Sequence, residues 1–272
     1  MPKTIQAGTQ EAWFMFYDSN GDPSGDTPDA LANATSAGAY KLVGIQEAPS
    51  AVPESKAVTI PGDDGSLGAI EFASDAPREI VLNFGQMDLT LEARLQNTDV
   101  DTFGSIEMGL IDLANIVLGT GALIIQGKAV NRDQGSEGLA AWSGIIYPYV
   151  QLLPLNRETW AGRTAGVVRY KAVAQQAYNN PWGTTIVNKA GTPIGAYARP
   201  FKSAHPLTMD AFRGALSSFT LNRSPVAVST TRPFSDKVAI GVTSINTPTP
   251  KLLTLSGSVS AGRPGLVFYE YQ

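Results

Sequence analysis

Glycine and proline, 27 and 18 of the 272 residues, are spread along the whole chain instead of being gathered into linkers. They cut it into short runs rich in Val, Ile, Thr, Tyr and Phe, which suit strands closed by turns better than long helices. This punctuation predicts a mainly β protein. The segment EIVLNFGQMDLTLEARL alternates twice, through Ile80, Leu82 and Phe84 and then through Met87, Leu89, Leu91, Ala93 and Leu95. The phase slips at Gly85-Gln86, as at a bulge or a strand break. Alternation returns in AAWSGIIYPYVQLLPL and in TAGVVRYKAVAQQAY, which read as two long paired strands joined by the polar NRETWAGR. In the second of these, Val168, Tyr170, Ala172 and Ala174 should face the core, and Val167, Arg169, Lys171 and Val173 the other side.

Two stretches have helical spacing. Residues 105–118 put Ile106, Leu110, Leu113 and Val117 on one face, with Ser105 as the N-cap, and TMDAFRGALSSF does the same with Met209, Phe212 and Leu216. Weaker strands are expected in TTIVNK, IGAYARPF, VAVSTT, DKVAIGV, KLLTLSGSV and LVFYEY, and Thr247-Pro248-Thr249-Pro250 reads as a stiff extended connection. The expected layout is a β-sandwich or barrel-like core over residues 1–190, with one or two short flanking helices. Residues 191–272 form a β-rich extension or a continuation of the same domain.

Composition restricts the chemistry. Cysteine is absent and histidine occurs once, so one chain cannot supply a Cys/His zinc site, a thiol nucleophile or a disulfide framework. The lone His205 precedes Pro206, and no G-x-S-x-G elbow accompanies it, which leaves a serine hydrolase without its parts. Gly119, Gly121, Gly127 and Lys128 suggest a phosphate loop, but the spacing is one residue too long and Ala129 stands where magnesium needs Ser or Thr. A glycine-rich turn into a strand explains them. Acids are plentiful in the first half, yet abundance alone does not make a glycosidase pair. The N-terminal MPKTIQAGTQ has no signal-peptide pattern, and the longest apolar run, IVLGTGALII, is about half a membrane span. No enzyme activity, cofactor, metal or membrane partner is expected.

Residues 17–29, YDSNGDPSGDTPD, raise the question of calcium. Asp18, Asn20, Asp22, Ser24, Asp26 and Asp29 occupy the ligand positions of an EF-hand loop. Pro23 holds the place where that loop needs a positive φ, and proline is locked near −65°. The stretch therefore reads as a solvated bend. Charge divides along the chain: residues 1–112 hold 18 Asp/Glu against 5 Lys/Arg, a balance of −13, and residues 113–272 hold 6 against 15, a balance of +9. Identical copies carrying such faces favour head-to-tail contact over two-fold contact. Trp142, Tyr147 and Tyr149 lie in an apolar strand and read as core or subunit interface. Trp160 and Trp182 lie in polar turns and, with Arg157 and Arg163 flanking Trp160, are the candidate subunit-interface residues. The Lys and Arg of the basic half are dispersed, without the stripe that nucleic-acid readout uses.

The stretch AAWSGIIYPYVQLLPLNRETWAGRTAGVVRYKAVAQQAYNNPWG resembles the core of major tail tube proteins of long-tailed bacteriophages: an apolar strand with an aromatic opening and a Pro-containing end, a polar turn, then a Val-rich strand carrying a Tyr. The resemblance covers residues 75–190 and rests on loose patterns. It implies a β-sandwich with a flanking helix, hexameric rings, and a stacked hollow tube through which genomic DNA passes without specific binding. Its partners would be itself and other tail proteins, and its place the virion tail, assembled in the host cytoplasm. The C-terminal third and the aspartate-rich stretch lie outside the resemblance, as decorations on the tube exterior or as a departure from the family. The alternative is a carbohydrate- or receptor-binding β-sandwich virion protein, with Trp and Tyr stacking sugars and the Asp loop binding calcium.

Calorimetric titration with calcium should show no stoichiometric micromolar binding to Tyr17–Asp29. A heat of that size, lost in Asp18→Ala, would overturn the bend.

Overall fold

The computed structural model describes residues 4–6, 11–18, 21–24, 37–42, 45–47, 55–62, 65–73, 78–84, 89–95, 100–108, 119–131, 141–157, 168–177, 185–196, 198–212, 217–235, 238–246, 252–257 and 264–272. The fold is mainly β, and all strand pairing among these residues is antiparallel. The largest sheet runs β4 (Tyr40–Lys41), β2 (Glu11–Phe16), β11 (Gly119–Asn131), β12 (Ala141–Arg157), β13 (Val168–Ala174), β8 (Arg78–Phe84), β5 (Ile45–Glu47). Two further strands extend it, β1 (Thr4–Gln6) against β11 and β14 (Arg199–Ser203) against β12. A second sheet runs β18 (Val238–Ala239), β17 (Thr231–Ser235), β21 (Gly265–Glu270), β15 (Leu207–Phe212), β3 (Ala37–Gly38). A third contains β16 (Ser218–Thr220), β20 (Leu252–Leu255) and β19 (Val242–Asn246). Two hairpins stand outside these sheets, β6 (Ser55–Gly62) with β7 (Gly65–Ala73), and β9 (Asp101–Phe103) with β10 (Ile106–Met108).

The central strands explain the layering. In β2 every residue from Ala12 to Phe16 is buried, as is every residue of β11 from Gly121 to Gly127, so the large sheet must be covered on both faces. Alternation divides the cover. Trp13, Met15, Ala122, Ile124 and Ile146 pack against Met209, Phe212, Phe219, Phe268 and Tyr269 of the C-terminal sheets. Ala12, Phe14, Phe16, Leu123, Ile125 and Tyr147 point the other way, into a core closed by Leu91 and Leu95 of helix α1 (Leu89–Leu95). The sheet curls into a half-barrel, and the helix packs on one of its faces. Sheet membership crosses position 190 in both directions, because β14 joins the first sheet and β3 joins the second.

The long pair β12–β13 forms as its alternation predicts, with Leu152 opposite Ala172 and Pro154 opposite Tyr170. Tyr170, Ala172 and Ala174 are buried, whereas Arg169 is exposed and Lys171 and Val173 are half-buried. Gly121 sits at the register shift of β11, and a Cβ there would lie 2.0 Å from the Met15 carbonyl oxygen. The glycine run thus belongs inside a strand, where two backbones approach closely, and is no turn.

Several expectations are corrected. The second alternating half, Leu89–Leu95, is α1 and no strand. LTLEARL also offers an i, i+4 pair, Leu91 with Leu95, and its Leu, Glu, Ala and Arg are strong helix formers, so propensity and burial override the period of two. The expected helix at 105–118 starts instead as a hairpin: Gly104, with φ +65, and Ser105 make the turn between β9 and β10, so Ser105 caps no helix and Ile106 opens a strand. Leu110, Leu113 and Val117 lie outside the described residues. Met209 and Phe212 belong to β15, buried at every position, because a strand covered on both faces carries consecutive apolar residues that also fit a helical period. Leu216 lies outside the described residues. In VAVSTT, Val228–Thr230 is a 3-10 turn leading into β17. The Thr-Pro repeat at 247–250, itself outside the described residues, joins β19 and β20, which pair as one hairpin from Asn246 and Leu252 onward.

Replacing Tyr170 by Asp should unfold the chain, at a cost of about 3–5 kcal/mol for a buried unpaired charge. The new carboxylate would face Glu92, which now accepts the Tyr170 hydroxyl proton at 3.3 Å. A soluble variant with an unchanged denaturant midpoint would overturn this register.

Candidate functional site

The polar groups that sequence reasoning missed converge where the large sheet meets the C-terminal layer. Glu11 and Gln126 are direct cross-strand neighbours on β2 and β11, on the face shared by Trp13 and Ile124. The fully buried Gln126 amide pairs with the backbone of Leu207 in β15: its Oε1 accepts the Leu207 N–H at 2.8 Å, and its Nε2 donates to the Leu207 carbonyl at 2.9 Å. One side chain thereby imitates a strand partner across two layers. The signal was visible, since a single glutamine interrupts the apolar run GALIIQG, and a buried amide demands partners.

Glu11 gathers the ends of the chain. Its carboxylate accepts from Gln126 Nε2 at 3.3 Å, from Lys41 Nζ at 3.0 Å and from the Tyr271 hydroxyl. Burial by itself would raise the Glu11 carboxyl, but the hydrogen bonds from Tyr271 and Lys41, with the Lys41 charge, outweigh it and hold the group below the ordinary glutamate value. The Tyr271 phenol is pushed up by burial first and by Glu11 second. Beside this group the Arg223 guanidinium stacks 4.6 Å from the Trp13 ring and 4.9 Å from the Tyr271 ring. Further along, buried Asp210 accepts the Asn222 N–H at 2.8 Å and the Tyr269 hydroxyl at 3.0 Å. Each of these carboxylates accepts hydrogen bonds from donors of the fold, an arrangement that ties neighbouring elements together.

The aspartate-rich stretch begins as a closed bend. Tyr17 bridges Pro23, Ser24 N–H donates to the Phe16 carbonyl, and Asp18 Oδ1 accepts the Asp22 N–H at 2.9 Å. The left-handed residue is Gly21, with φ +78, two positions before the one that a calcium loop requires. Asn20, Asp26 and Asp29 lie outside the described residues.

Of the candidate interface residues, Arg157 ends β12, its backbone opposite Val168 across a register shift after Pro154. Trp160, Arg163 and Trp182 lie outside the described residues. The other aromatics separate by depth. Tyr147 and Tyr170 are core, Trp142 is half-buried with Lys128 Nζ 5.9 Å from its ring, and Tyr149 tilts against Tyr17 at 6.2 Å. On the outer face of β13, Lys171 forms an ion pair with Glu79 of β8. No helix among the described residues is long and apolar enough to cross a membrane. Comparison with known proteins finds no family profile that matches the chain and no matching curated protein.

Gln126→Leu should cost about 1–3 kcal/mol for each Leu207 backbone group left without a partner, measured by chemical denaturation. Because the folded Glu11 carboxyl sits below its ordinary value of 4.5, its contribution is present above that pH and is lost as pH falls through the lower, folded value. The stability advantage of the native chain over Glu11→Gln should therefore shrink as pH falls below 4.5, and an advantage independent of pH would refute the linkage.

Proposed function

We propose that this chain is a structural virion protein that assembles into stacked rings forming the tail tube of a long-tailed bacteriophage, and that it is not an enzyme. One observation carries the self-assembly part of this reading. At one edge the large sheet ends on a strand too short to cover its neighbour: β5 reaches only Asn83 and Phe84 of β8. Along residues 78–82 the edge of β8 takes no strand partner among the described residues. Open edges of this kind invite another strand, and closure of the sheet by the next subunit removes the hazard. The charge division supports the stacking direction, since copies meeting acidic to basic form a translational series. An acidic lumen also suits a conduit for DNA, because cationic walls would hold the phosphates.

Negative-stain electron microscopy of the purified chain tests the reading, with rings or tubes expected. Compact monomers at every concentration, with glycan binding abolished by a chelator, would favour the carbohydrate-binding alternative. Rising salt should slow stacking well before it unfolds subunits, because exposed charges are screened beyond about 8 Å at physiological ionic strength. Charge reversal at Arg157 and Arg163 together should impair polymerisation, and a compensating reversal among the acids of residues 18–29 or 63–75 should restore it. If the double variant stacks at the native rate across a salt series, the electrostatic part of the proposal is wrong.

A further inference from the structure

The β9–β10 hairpin is the most exposed apolar element among the described residues. Every residue from Asp101 to Met108 is exposed, and among the described residues the two strands pair only with each other. Register places Phe103 opposite Ile106 and Asp101 opposite Met108, so these four share one face, with Thr102 and Glu107 on the other. Phe103, Ile106 and Met108 are 75%, 58% and 43% exposed. Large apolar side chains exposed singly are ordinary, but three on one face of a two-stranded arm mark a docking surface. Such an arm has little stability of its own and gains it from what it touches.

A second hairpin has the opposite charge. Val187 bridges Pro193, and the turn between them is pinned by Asn188, whose Oδ1 accepts the N–H groups of Ala190 and Thr192 at 2.9 Å each. Gly191 supplies the left-handed residue, with φ +81. Ile186 is buried against the body of the protein, so the alternate residue Val187, 49% exposed, faces outward with Pro193 beside the exposed turn lysine Lys189. Neither Asp101, Glu107 nor Lys189 enters an ion pair among the described residues.

We infer that the β9–β10 hairpin is a docking arm whose occupant is a second copy of this chain, and that its apolar face seats on the Val187–Pro193 hairpin of that copy. Complementarity carries the contact. The arm is apolar with two carboxylates and lies in the half of the chain that carries −13, and the receiving hairpin is apolar with a lysine and lies in the half that carries +9. Arm and receptor are different surfaces of one chain, so the contact is heterologous and repeats from copy to copy. The occupant rests on the self-assembly reading above.

The chain has no cysteine, so introduced thiols report single contacts. Ile106→Cys protein is mixed with Val187→Cys protein and treated with a short bis-maleimide. A cross-linked heterodimer is expected, well above that formed when Ser229→Cys, another exposed position, replaces either partner. A yield no greater than this control, or predominant linkage of Ile106→Cys to itself, would overturn the contact. In sedimentation velocity, Phe103→Ser with Ile106→Ser should weaken self-association by about tenfold or more, the scale of losing an apolar anchor, with an unchanged melting temperature. Unchanged self-association would overturn the arm. Tubes without the heterodimer would discard this contact and leave the tube reading intact, whereas the heterodimer without tubes would do the reverse.

Discussion

Burial of β2 and β11 on both faces is the constraint from which the rest of the fold follows. A strand with Ala12, Phe14 and Phe16 on one side and Trp13 and Met15 on the other cannot meet water on either face. At roughly 1.5–3 kcal/mol for each large side chain, leaving one face uncovered would cost a large part of the net stability of an ordinary domain. The curled side is closed by the short helix α1, and the other side recruits the C-terminal sheets. Residues beyond 190 therefore share a core with the first twenty, and the chain folds back on its own beginning.

Where two layers press together without a common ladder, polar groups set their register. Gln126 does this by giving Leu207 the two hydrogen bonds that a neighbouring strand would give. Glu11 does it by accepting the hydroxyl of the penultimate residue Tyr271 from the other layer, while Lys41 on the neighbouring strand β4 supplies its charge partner. Asp210, by contrast, ties β15 to Tyr269 of its ladder partner β21 and to the Asn222 amide within the C-terminal layer. Apolar packing is tolerant of small slides, and hydrogen bonds are not, so these few groups make the sandwich specific.

Hairpins paired outside the main sheets and the open edge of β8 follow the division of charge along the chain. Both detached hairpins and the open edge of β8 belong to the acidic portion of the chain, and the Val187–Pro193 hairpin to the basic portion. In the stacked assembly proposed above, this division would set which surfaces meet, and screening would limit it to near contact.

The sequence by itself determined what depends on local periodicity and on composition. Period-2 alternation was sufficient for β8 and β13, down to the face on which Tyr170 lies, because one covered side makes register legible, and for the existence of β12, whose Ile146 and Tyr147 enter opposite cores. The missing cysteines and the charge division needed no structure at all. Tertiary structure decided the segments whose patterns fit two periods. Leu89–Leu95 alternates like a strand yet folds as α1, and Leu207–Phe212 spaces its apolar residues like a helix yet lies in a sheet. In each, long-range burial chose between conformations of similar local cost. The partners of Glu11 and Gln126 were likewise beyond local reading, for Tyr271 and Leu207 lie 260 and 81 residues away in the chain, and only folding brings those donors and acceptors within hydrogen-bonding distance.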